Sequence, residues 1–190
     1  MANENFVRGL VPLNNAGSQP FNDGTKMFYV PASDATALYI GDPVVLAGSA
    51  DAAGVASVTR ASAGGAITGV VVGFTPDGTT TLVGYRAAST AAYVLVETNP
   101  DAVFEVQDTA GTIVAADIGL NANLNMNAGS AVTKRSGVDL NSGSKATTAT
   151  LNVRLKGLRQ TPGNDFGAYA KILVQINNST EVPGTASVGL

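Results

Sequence analysis

The chain has 190 residues, a formal net charge of −3, 13% charged and 6% aromatic side chains, and neither cysteine nor histidine. These totals exclude a disordered chain, which would be charge-rich and poor in hydrophobic residues, and they exclude disulfides, thiolate or imidazole metal sites and Ser-His-Asp or Cys-His catalysis. The acidic balance argues against nucleic acid as a partner, because counterion release needs a basic stripe.

The length suits one domain with at most an appendage. Glycine, threonine, valine and asparagine are weak helix formers. Their abundance predicts many short strands. No apolar run approaches the roughly 20 residues that span a bilayer, and no signal peptide is visible at the N-terminus. The expectation is a soluble protein made in the cytoplasm, with no membrane partner and no cofactor.

Residues 1–24 contain five asparagines, two prolines and isolated apolar residues with no regular spacing. They read as an extended arm, anchored by Phe6, Leu10, Val11, Leu13 and Phe21, preceding a β domain over residues 25–190. Fully extended, two dozen residues reach roughly 80 Å. Ordering each residue costs about 1–2 kcal/mol, and five buried anchors return only about 2–3 kcal/mol each. Such an arm is expected to be ordered only where a neighbour also supplies backbone hydrogen bonds. The anchors are accordingly assigned to partner contact in preference to the chain's own core.

Residues 25–31 (TKMFYVP) form the first convincing strand. Gly41-Asp42-Pro43 turns the chain into 44–46, and a short strand follows at 55–60. Residues 67–75 (ITGVVVGFT) read as a buried strand, with Gly69 and Gly73 marking bulges or close backbone approach. A further strand is possible at 79–85. The centre of the chain is 93–108, YVLVETNPDAVFEVQD, read as two strands closed by an Asn99-Pro100-Asp101 turn. In the register preferred for this hairpin, Val94 and Val96 share a face with Phe104 and Val106.

Beyond it, strands are predicted at 112–116 and 131–134, a helical turn within 116–124, and a loop-rich stretch over 128–150. Leu151, Val153 and Leu155 alternate with Asn152, Arg154 and Lys156 as inside and outside positions. Residues 168–176 give the longest period-two run, and 181–190 a short tail. Turn signals roughly every ten residues predict an all-β fold, a sandwich or barrel of short antiparallel strands.

Chemistry is sparse. Glu97 and Glu105 would lie diagonally on one face of the central hairpin, the arrangement a glycosidase needs, but with little aromatic platform nearby a solvated strand face is the preferred reading. Asp23-Gly24 and Asp77-Gly78 read as turns, since no calcium loop follows either. Gly64-Gly65 lacks the G-K-[ST] of a phosphate loop. Lys134-Arg135 and the Arg154/Lys156/Arg159 group are the only basic clusters; both read as solvated surface, with an acidic partner as the lesser reading.

Four segments, GDPVVLAGSAD (41–51), SVTRASAGGAITGVVVGF (57–74), YVLVETNPDAVFEVQD (93–108) and LKGLRQTPGNDFGAYAKILVQINNSTEV (155–182), together resemble structural proteins of tailed bacteriophages, and more specifically a capsid decoration, or cement, protein. The resemblance implies a non-enzymatic virion protein on the outer capsid surface. It would bridge neighbouring major capsid protein subunits and associate with itself, as a homotrimer in preference to a dimer. The other readings are a phage tail or head-completion protein and a carbohydrate-binding or adhesin-like β-module.

Overall fold

The computed structural model describes residues 3–15, 24–75, 84–182 and 189. In chain order the strands are β1 (Val11–Asn15), β2 (Thr25–Val30), β3 (Leu38–Tyr39), β4 (Pro43–Ala50), β5 (Ala56–Arg60), β6 (Gly69–Thr75), β7 (Tyr85–Arg86) and β8 (Ala92–Glu97). They continue as β9 (Ala102–Asp108), β10 (Asn121–Asn125), β11 (Asp139–Ala146), β12 (Val153–Leu158) and β13 (Ala170–Ile176). The fold is all-β, as the composition predicts.

Five strands close into a barrel in the order β2-β5-β4-β6-β8, and six form a sheet in the order β1-β9-β13-β12-β10-β11. Among the described strands every pairing is antiparallel except β2 with β5, which meet in parallel at Tyr29 and Ser57. Strands β3 and β7 form a small separate pair. The barrel interior is filled by side chains such as Phe28, Val44, Val58, Val94 and Val96. A second core, around Phe104, Leu124, Leu140, Ile172 and Val174, lies on the sheet and takes in Ile67 and Val70 from the barrel side.

The central hairpin is not formed. The 98–101 turn has the expected chemistry, with Asn99 Oδ1 accepting from the Asp101 N–H at 2.9 Å and Ala102 N–H reaching Asn99 O at 3.1 Å. Its two strands nevertheless part. Both edges of β8 are occupied by β2 and β6, and both edges of β9 by β1 and β13. A strand has only two hydrogen-bonding edges, so β8 and β9 cannot pair, and the turn instead carries the chain from barrel to sheet. Val94 and Val96 belong to one core, Phe104 and Val106 to the other.

The N-terminal segment finds its backbone partner within its own chain. Strand β1 pairs with β9, matching Val11 with Glu105 and Asn15 with Ala102. Leu10 is 1% exposed, in the sheet core. These backbone bonds are what the anchors lack when counted alone. Residues 4–8 run over the face of β9 that had been expected to meet solvent, and all seven residues of β9 are buried.

The two glycines placed in β6 are where a bulge and a close approach occur. The β6–β8 register shifts between Val71 and Gly73, and a Cβ on Gly69 would run into the Glu97 carbonyl. Residues 112–116 do not form a strand; Ala115–Asp117 is a single 3₁₀ turn, closed by Asp117 Oδ2 accepting from the Val114 N–H at 2.9 Å. Residues 131–134 are a tight turn, and the stretch 128–150 contains β11. Asn152, expected outside, is fully buried. Both end strands of the sheet are irregular, with a register shift between Pro12 and Asn14 in β1 and another where β11 bulges between Asn141 and Ala146.

Candidate docking surface

Four chain segments converge on one surface: residues 6–10, 38–42, 84–86 and 129–136. Two of them, 38–42 and 129–136, are joined through Asp42, which is fully buried. Its Oδ2 accepts the Tyr39 N–H at 2.9 Å, and its Oδ1 accepts Ser136 Oγ at 2.6 Å and Arg60 Nη2 at 3.3 Å. Arg60 also donates to the carbonyls of Met126 and Asn127. One carboxylate thereby joins the β3–β4 turn, the 129–136 loop and barrel strand β5. Burial pushes the Asp42 carboxyl above the ordinary carboxylate value, and Arg60 and Ser136 draw it part of the way back.

Gly41 and Gly9 let the N-terminal segment close onto this turn. Both have positive φ, +94° and +73°, and a Cβ on either would overlap the other segment's backbone. The Leu10 N–H donates to Gly41 O at 3.0 Å. A second clamp lies at Glu105, 3% exposed, which receives Arg8 Nη2 on one oxygen at 2.6 Å and Arg159 Nη1 on the other. Gln107 adds bonds to the Phe6 N–H at 3.0 Å and to Glu4 O at 2.9 Å.

On this base sits the 130–135 loop. Ser130 N–H donates to Arg135 O at 3.0 Å, Lys134 N–H to Ser130 O at 2.8 Å, and Ser130 Oγ accepts from the amides of Val132 and Thr133. Lys134 has φ +60°, a left-handed conformation unusual for a side-chain-bearing residue. The loop holds Val132 at its tip, 91% exposed, and its Arg135 meets two further exposed apolar residues, Ile40 at 44% through a backbone bridge and Phe6 at 39% through its ring. The Arg135 guanidinium lies 4.3 Å from the Phe6 ring centre, and Lys134 Nζ lies 4.3 Å from that of Tyr85. Tyr85 in turn stacks on Tyr39, ring centres 5.2 Å apart.

The other sequence-predicted residues are placed as follows. Of the arm anchors, Leu10 is core, Val11 and Leu13 are half-buried on β1, Phe6 is part of the exposed surface, and Phe21 lies outside the described residues. Glu97 and Glu105 do not share a hairpin face and neither is solvated. Glu97, on barrel strand β8, is 2% exposed and accepts the Asn99 N–H at 2.8 Å. Of the basic groups, Arg159 pairs with Glu105, while Lys134 and Arg135 make no ion pair among the described residues.

Sequence reading passed over Asp42 and Arg86. Arg86 is buried and donates to four carbonyls, those of Pro31, Thr36, Asp34 and Thr90, at 2.5–2.8 Å. The only signal for Asp42 was its place between glycine and proline, which also fits an ordinary turn. An open hollow of about 220 Å³ lies between Asn3-Glu4 and the 161–164 turn, beside Tyr169 and Lys171. Among the described residues no group of three or more carboxylates is placed to hold a metal ion. No family model matches the chain, and comparison with curated proteins and with solved structures also finds no match.

Proposed function

We propose that the chain is a virion structural protein that binds the outer capsid surface and bridges neighbouring major capsid protein subunits, in the manner of a decoration or cement protein. The resemblance in segment order supplies the capsid. The observation that supports a binding role is the surface around Asp42, where exposed apolar side chains stand on a base braced by buried hydrogen bonds. A surface pre-formed in this way loses little conformational entropy on docking. Exposed apolar side chains set together mark interaction surfaces. Bridging is multivalent: once one contact is made, linkage through the rigid fold raises the effective concentration at the next.

The test is co-sedimentation of the full-length protein with expanded capsid shells that lack it, together with the melting temperature of those shells. Saturable binding that raises the melting temperature is the expected result. Failure to bind any shell overturns the proposal. The full chain is the right reagent, because removing residues 1–24 would strip Leu10 from the core and leave Glu105 without Arg8.

A further inference from the structure

We infer that the 130–135 loop, with Phe6 and Ile40, is the element that grips the shell, and that it takes an acidic extended segment of the shell protein carrying an apolar side chain. The inference rests on the capsid reading above and names the chemistry of its contact.

Three observations carry it. First, Val132 is almost wholly exposed, yet its loop is fixed by four hydrogen bonds centred on Ser130 and Arg135. Water gains nothing from a valine held rigidly outward, whereas an apolar partner does. Second, Lys134 and Arg135 flank it without carboxylate partners among the described residues, in a chain where carboxylates outnumber cations 14 to 11. Third, both cations are oriented by rings, Arg135 by Phe6 and Lys134 by Tyr85. A cation–π contact leaves the outward donors of each head free for an incoming carboxylate.

Two cations without carboxylate partners among the described residues, beside three exposed apolar side chains, suit a segment that alternates carboxylate and apolar residues. A phosphate backbone would call for a longer basic stripe without the valine.

The experiment compares the full-length parent with Val132→Asp and with Lys134→Gln/Arg135→Gln on the same capsid shells, at about 50 mM and 500 mM salt. The altered side chains lie on the surface, so circular dichroism and melting temperature should match the parent. Each variant is expected to bind at least about tenfold more weakly, and the parent's binding should weaken with salt while the double glutamine variant's changes less. Carbodiimide, which joins an amine directly to a carboxylate, should cross-link Lys134 to aspartate or glutamate of the shell protein. Parental binding with variants that bind equally well overturns this inference alone. A parent that binds no shell overturns the capsid reading and this contact with it. Cross-links only between copies of this chain, lost in Val132→Asp, would make the surface self-associating and also overturn the inference.

Discussion

Two buried charges, Asp42 and Arg86, show how single residues hold loops that have no regular structure. Asp42 meets three donors, so Asp42→Asn must set an amide N–H against at least one of them, and a loss of about 1–3 kcal/mol is expected by urea denaturation at neutral pH. The pH dependence follows from the raised folded value. Asp42's contribution is complete below the ordinary value of 3.8 and declines as pH rises through the folded value. The deficit of Asp42→Asn relative to the parent should therefore shrink as pH climbs through that range. Asp117 runs the other way. The hydrogen bond from Lys145 Nζ, at 2.6 Å, keeps its carboxyl below the ordinary range. Its contribution is present above 3.8 and is lost as pH falls through the folded value. Arg86 uses a planar fork of donors that lysine cannot reproduce, so Arg86→Lys should cost at least about 2 kcal/mol despite keeping the charge.

Among the elements, the pair β8 and β9 is the most informative. If they formed a hairpin, Val96 and Phe104 would share a face and couple by up to about 1 kcal/mol. Because they lie in separate cores, Val96→Ala and Phe104→Leu should be additive to within about 0.5 kcal/mol in a double-mutant cycle. Periodicity revealed the strands themselves: β2, β5, β6, β8, β9, β12 and β13 all lie where alternation or apolar runs placed them. Pairing was not legible, because the turn at Asn99-Pro100-Asp101 is compatible with strands that pair and with strands that part. Glu105 and Gln107 looked solvated for a similar reason. What covers them is residues 4–8, about a hundred positions earlier, and no local pattern reports that. β11 was missed because DLNSGSKA bulges and so breaks the period of two. The candidate surface was half legible. Phe6 and Lys134-Arg135 were singled out separately, but only tertiary structure brings them together.

At the level of the whole molecule, barrel and sheet are tied as one body. Asn152 uses its full amide: Oδ1 accepts from Gly64 N–H at 3.0 Å and Leu124 N–H at 3.2 Å, and Nδ2 donates to Gly65 O at 2.7 Å and Ser62 O at 3.3 Å. Ile67 adds backbone bonds with Asn178 and Thr180 at 2.8 and 3.1 Å. Asn152→Ala should cost about 2–3 kcal/mol. It should also speed hydrogen exchange at the Gly64 and Leu124 amides more than at Val94, inside the barrel. Equal acceleration at all three would mean that Asn152 supports the fold generally and is not a joint between its halves.

The irregular end strands have a consequence for life at high density. Among the described residues the six-stranded sheet ends in β1, whose register shifts beside Pro12, and in the bulged β11. Neither end offers the flat, continuous row of amides and carbonyls on which ribbons and fibres grow. At these two ends, copies packed shoulder to shoulder would therefore meet through side chains, which can be selective, in preference to adding strand to strand.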